Sequence, residues 1–282
     1  MLLAHRQVLG NRLGQAEDGG GAGDIQTIMS YGLPLYFGSL LTALFAQYQN
    51  IVLAFFASNT EIGNFNAADN LGTLTGIVAT PVATALFPAF SKLDLQTKKD
   101  ELKRMFELSV RYSTLLIAPV AVAVGVLSKD LIRAVYGAAY NYAPTYLTLY
   151  IGVFLLTSLG YVVVPNFLNG IGRTRETLKI SVVRLAIFLP AAPAMVWLWR
   201  VSGLIIALAL SALVATSLGL RLATRKHGMQ FDLKGLLAVF AAALSSAVPI
   251  LPLAYYSRLP SLVNLLIGAV IYLAAYLPFA PL

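Results

Sequence analysis

Apolar residues fall into eight runs along the chain, at 33–56, 65–89, 106–128, 145–168, 180–199, 203–221, 235–256 and 260–281. Each is close to the roughly 20 residues a helix needs to cross hydrocarbon about 30 Å thick. The pattern predicts an all-α, polytopic integral membrane protein with about eight transmembrane helices. The connections alternate in charge. ASNTEIGN, SKDLIRAVYGAAYNYAP, RVSG and SRLP are poor in Lys and Arg, whereas the N-terminal leader, SKLDLQTKKDELKR, GRTRETLK and RLATRKHGMQFDLK are basic. Of the 20 Lys and Arg, only Lys129, Arg133, Arg200 and Arg258 fall on the first side. The excess of basic residues on cytoplasmic loops then places both termini in the cytoplasm of a multi-pass cell-membrane protein.

Polar residues inside two of these runs raise the question of function. LFAQYQNIVLAFF, residues 44–56, carries Gln47, Gln49 and Asn50 where a span has its middle. An amide in hydrocarbon is costly unless it is partnered or wet. At 100° per residue the three share a face with Ser39 and Thr42, opposite Phe37, Leu41, Leu44, Tyr48, Val52 and Phe55. The second run repeats the arrangement. Asn66, Asp69, Asn70, Thr73, Thr80 and Thr84 gather away from Leu71, Val78, Val82 and Leu86, and only Thr75 breaks the stripe. Such stripes serve either as contacts between helices or as the wall of a hydrated cavity. The number of amide and carboxyl groups favours the cavity, and an intramembrane Asp is a functional candidate by default. Arg111 and Arg184 lie a turn or more inside the basic interface. They either snorkel back to it or face the cavity, where a guanidinium binds phosphate bidentately. Glu107, four residues before Arg111, is placed to pair with it. Tyr136, Tyr140, Tyr142, Tyr146 and Tyr150 are expected to form an aromatic belt at the outer interface.

Composition narrows the chemistry. The chain is 58% hydrophobic and only 11% charged, where soluble domains carry about 25% charged residues. A formal charge of +8 is divided among short clusters between apolar runs, so nucleic acid is not an expected partner. There is no cysteine, and His5 and His227 sit in polar flanks, so no metal site is expected. No Ser/His/Asp set, phosphate loop or paired carboxylates at helical spacing in a span occurs, and neither catalysis nor a cofactor is expected.

Five stretches in order, YGLPLYFGSLLTAL, EIGNFNAADNLGTL, TALFPAFSKL, LSKDLIRAVYGAAYNYAPTYLTLY and NFLNGIGRTRETLKISVV, span residues 31 to about 225. They resemble the oligosaccharide flippase (polysaccharide biosynthesis, O-antigen transporter-like) branch of the multidrug/oligosaccharidyl-lipid/polysaccharide exporter superfamily, in its C-terminal portion. The resemblance implies two six-helix lobes enclosing a central cavity that alternates access. The implied function is flipping of a lipid-linked oligosaccharide from the cytoplasmic to the outer leaflet for surface polysaccharide or glycan assembly. On this reading residues 1–27 are a polar leader or linker, 28–225 a six-helix lobe, and 226–282 two additional helices. A missing N-terminal lobe or a partner chain then supplies the other half. The implied pathway residues are Gln47, Gln49, Asn50, Asn66, Asp69, Asn70, Thr73, Thr80, Arg111 and Arg184. One departure is that many members carry an acid and then a base where this chain has Gln49 and Asn50, which argues against ion coupling through that pair. The alternatives are a drug or cation exporter of the same superfamily, for which Asp69 is the available buried acid, and a non-transporting membrane subunit or truncated product.

Overall fold

Helix α1, Gly21–Phe56, runs 36 residues, about 54 Å at 1.5 Å per residue, and so exceeds the thickness of a bilayer core. It comes from a computed structural model that describes residues 21–92, 98–157, 160–257 and 259–279 and is helical throughout its ordered elements. The expected leader is thus helical from Gly21, and residues 1–20 lie outside the described ones. After α1 the chain turns at Ser58. Its hydroxyl accepts from the Glu61 N–H while the Glu61 carboxylate accepts from the Ser58 N–H at 2.8 Å, a capping box that starts α2, Asn59–Gly72. There follow α3 (Leu74–Ser91), α4 (Lys99–Val126), α5 (Ser128–Tyr136), α6 (Ala143–Thr157) and α7 (Val163–Gly170). The chain continues with α8 (Thr174–Arg221), α9 (Leu233–Ser245), α10 (Leu251–Tyr256) and α11 (Ser261–Phe279).

Five segments are long and apolar enough to cross a membrane: Ile28–Phe56, Lys99–Val126, Thr174–Lys226, Leu233–Ala254 and Ser261–Phe279. The apolar run at 65–89 is divided at Thr73 between α2 and α3, and the run at 145–168 is divided between α6 and α7. Gly72 sits at the first break because a Cβ there would lie 2.6 Å from the Tyr150 ring. The long α8 reverses on itself at the expected RVSG connection. Trp199 and Arg200 leave helical backbone, Arg200 at φ +54°, and a Cβ on Gly203 would meet the Met195 carbonyl oxygen at 1.9 Å. Further along, Gly219 faces Ile180, so the two arms of α8 run antiparallel in close contact.

Three clusters of buried side chains hold the helices together. Leu53, Phe65, Leu147, Phe188 and Leu204 join α1, α2, α6 and both arms of α8. Phe90, Leu102, Phe106, Phe167 and Met229 close the other end. Val122, Val239, Ala243, Tyr272 and Tyr276 fasten α9 and α11 to α4. Within the third cluster, the Tyr272 and Tyr276 hydroxyls donate to the Ala243 and Leu115 carbonyls, each at 3.0 Å.

The charge alternation read along the chain becomes a difference between the two ends of the bundle. At one end the Asn64 amide oxygen accepts from the Tyr142 and Ala143 N–H groups at 3.0 Å, and Arg200 reaches the Phe56 carbonyl and Glu61. At the other, Glu176 holds Lys226 at 2.6 Å and His227 at 2.9 Å. His227 is therefore buried and paired with a carboxylate, where a polar flank was expected. Of the five tyrosines expected at the outer interface, Tyr146 belongs to the first core and Tyr150 packs over Gly72, because α6 fits against α2, while Tyr142 is exposed.

Candidate functional site

The tight α8 hairpin leaves a gap toward its open end, and α1 and α7 do not fill it. The result is a partly open cavity of about 620 Å³. The first arm of α8 presents Thr177, Ser181 and Arg184, spaced as one helical face, and the second presents Ala215, Thr216 and Gly219. Pro34, Gly38, Ser39 and Thr42 of α1 form the facing wall, and Tyr161, Asn166 and Asn169 complete it from the α7 side.

The wall is apolar with hydrogen-bonding groups set into it. Ser39 and Thr42 donate back to the Tyr36 and Gly38 carbonyls at 2.8 and 3.0 Å, which leaves their oxygen lone pairs as acceptors. The Asn169 side-chain oxygen accepts from the Thr177 hydroxyl at 2.8 Å, and its backbone oxygen accepts from the Tyr31 hydroxyl at 3.1 Å. Asn166 donates to the Val162 carbonyl at 2.7 Å.

Arg184 is the one fully charged group among the described lining residues. It lies about 15 Å along α8 from Thr174 at 1.5 Å per residue. Its guanidinium carbon stands 4.5 Å above the Phe45 ring and 5.9 Å from the Tyr161 ring, and Nη1 donates to the Tyr161 hydroxyl at 3.5 Å. The Nε is buried without a hydrogen-bond partner, and no ion pair involves Arg184 among the described residues. A cation held on an aromatic face with an unmet N–H donor is an acceptor site for an anion.

Of the two positions open to Arg184, the structure shows the one facing a cavity. Ser39 and Thr42 line it as well, and the other described sequence-derived candidates do not. Gln47 and Asn50 are exposed and Gln49 is half-buried. The face opposite them is not wholly turned to lipid. Tyr48 packs edge-on against Phe188 and donates to the Leu189 carbonyl at 2.6 Å, and Val52 is buried. The projection misassigned them because lipid and core are equally apolar, so polarity alone does not mark the packed side of a membrane helix. On α2, Asn66, Asn70 and Thr73 are exposed together, away from the buried Phe65, Ala68 and Leu71. Asp69 is half-buried beside Tyr150. Thr75, the break in the stripe, is fully buried and donates to the Gly72 carbonyl. The side chains of Thr80 and Thr84 lie outside the described residues. Arg111 is half-buried on α4 and lies outside the cavity.

Sequence reasoning missed Tyr161, Asn166, Asn169, Thr177, Ser181 and Thr216. Two signals for them were present. Thr177, Ser181 and Arg184 repeat at helical spacing in TLKISVVR, and Asn166 and Asn169 share a face in NFLNG.

Residues 20–144 match the polysaccharide biosynthesis protein family. A similar curated protein is "Probable low-salt glycan biosynthesis flippase Agl15" of Haloferax volcanii, 21% identical over 167 residues, covering 59% of this chain and 35% of that one. The chain spans about a third of the length of the curated relatives it matches. In fold it is similar to the lipid II flippase MurJ in an inward closed conformation, with a TM-score of 0.66 and 16% identity over 90% of this chain and 52% of that chain. It is also similar to an outward-facing multidrug resistance MATE family transporter of the MOP superfamily, with a TM-score of 0.61 and 15% identity over 90% and 64% of the two chains. Residues 20–144 thus match the model of the polysaccharide biosynthesis protein family, and the chain as a whole is similar in fold to these two transporters.

Proposed function

We propose that this chain forms one lobe of a flippase for a lipid-linked oligosaccharide, and that the cavity beside Arg184 receives part of the anionic, hydroxyl-rich head group. The observation that carries the reading is the make-up of the cavity wall. It has one unpaired guanidinium, several hydroxyl and amide groups, and no carboxylate among its described lining residues. Sugar hydroxyls cannot enter hydrocarbon unpaired, and a glycan-phosphate head group matches this donor and acceptor set. A drug or cation exporter wants an acid at its binding site, and the half-buried Asp69 stands apart from this cavity.

The exposed amides Gln47, Asn50, Asn66 and Asn70 are the second support. Left against lipid they would be costly. In this reading they face a second lobe or partner chain and line the path between the two. The basic end of the bundle is cytoplasmic by the charge rule, and the head group moves from there toward the outer leaflet.

The test is equilibrium binding of a short-chain polyprenyl-diphosphate sugar to the purified protein, with tetraphenylphosphonium as a cationic competitor. The sugar lipid is expected to bind and to resist the cation. Loss of one charge-assisted bidentate contact in Arg184→Gln should weaken binding about ten-fold or more. Tighter binding of tetraphenylphosphonium, or unchanged sugar-lipid binding in Arg184→Gln, overturns the reading.

A further inference from the structure

Away from the cavity, α3 and α4 part at the basic end of the bundle and leave an open groove of about 750 Å³. Its lining is graded along both helices in the same direction. On α3 and its end, Val82 and Leu86 give way to Ala89 and then Lys92. On α4, read from inside outward, Tyr112, Leu108 and Met105 give way to Arg104 and Glu101, and then to Lys98 just before its first turn. The apolar floor from Lys92 back to Val82 is about 15 Å long at 1.5 Å per residue. Lys92, Lys98 and Arg104 are all exposed. Glu101 engages Lys98 at 3.6 Å, and no ion pair involves Lys92 or Arg104 among the described residues.

A solvated charged loop has no reason to continue into an apolar trough, and a purely packing groove has no reason to end in three cations. We infer that the groove is a binding site for an anionic membrane phospholipid. Its phosphate sits among Lys92, Arg104 and Lys98, and an acyl chain lies along Leu86, Val82, Leu108 and Tyr112. Charge complementarity selects the head group, since basic pockets between membrane helices hold anionic lipid heads. The length of the apolar floor requires a lipid and not a free phosphate. This inference is independent of which substrate the cavity takes.

The test is native mass spectrometry of the whole chain purified in detergent and supplied with phosphatidylglycerol, phosphatidylcholine or glycerol 3-phosphate. Phosphatidylglycerol should be retained in preference to phosphatidylcholine, and millimolar glycerol 3-phosphate should not displace it. Each cation near a membrane surface contributes about five-fold, so Lys92→Gln with Arg104→Gln should weaken retention about twenty- to thirty-fold. A control pair on the same end of the bundle, Arg173→Gln with Arg175→Gln, should leave it unchanged, and both pairs should keep the wild-type helical circular dichroism. Leu86→Gln is a second probe of the chain-binding floor and should also reduce retention. Equal retention of the two lipids, displacement by glycerol 3-phosphate, or an equal loss in the control pair overturns the assignment.

Discussion

Arg200 places its Nε 3.3 Å from the Glu61 carboxylate while its Nη1 donates to the Phe56 carbonyl at 3.1 Å. One side chain thereby joins the end of α1, the cap of α2 and the reversal of α8. It does so from a left-handed backbone, φ +54°, which costs a residue with a Cβ about 1 kcal/mol or more. Arg200→Ala keeps the strain and loses both contacts, whereas Arg200→Gly loses the contacts and relieves the strain. The Ala variant should melt lower than the Gly variant in detergent, with both below wild type. A Gly variant less stable than the Ala variant would show that strain is absent at this turn.

The same cluster gives a pH dependence. The Ser58 backbone N–H, then the Ser58 hydroxyl and Arg200, hold the Glu61 carboxyl below its usual range despite partial burial. A lowered folded-state value means that the contribution is complete above the unfolded carboxylate range, near about pH 4.3. It is lost as pH falls through the lower folded value. Glu61→Gln should remove this part of the acid sensitivity and cost about 1 kcal/mol at neutral pH, as losing a helix cap does. Melting curves from pH 7 to pH 3 that differ between the two proteins only by a constant offset would contradict it.

Gly203→Ala tests the hairpin itself. The added methyl would stand 1.9 Å from the Met195 carbonyl oxygen, which is backbone and cannot swing aside. The expected loss is more than about 4 kcal/mol, in the range of severe single substitutions. Gly152→Ala, where a Cβ meets nothing within 4 Å, serves as the tolerant reference. Size-exclusion profiles and yield of the two variants distinguish a packed reversal from a loose one.

Asp69→Asn separates glycan carriage from cation coupling. Asp69 is half-buried beside Tyr150 and outside the cavity. An amide keeps the hydrogen-bonding capacity and drops the charge. In a full-length transporter carrying this lobe, glycan export should persist within a few-fold. Abolished export would favour the alternative reading, a cation exporter.

The helical class was legible because apolar runs of spanning length leave few alternatives, and the reversal at RVSG was marked by Arg200 and Gly203. The divisions of the second and fourth runs were not, since Thr73 and the stretch after Thr157 lack a proline or charge to announce them. The orientation of α1 was only half readable. Ser39 and Thr42 do face a cavity, yet Tyr48 and Val52 look like lipid contacts until Phe188 is seen beneath them. Arg184 stood out as a charge in an apolar run. Asn166, Asn169 and Thr177 did not, because their role depends on α7 meeting the start of α8, a relation that no local pattern records.

The stacking of Arg184 on Phe45 connects occupancy to mechanics. Phe45 belongs to α1 and also stacks on Phe188 of α8, with ring centroids 4.2 Å apart. An aromatic face attracts a bare cation, and that attraction weakens once an anion neutralises the guanidinium. On the proposed function, a bound head group would loosen one fastening between α1 and α8, and sliding α1 away from α8 would expose the guanidinium more fully to it. The two equilibria are reciprocal by thermodynamic linkage, so a ligand that fills the cavity also tunes how firmly the first helix is latched.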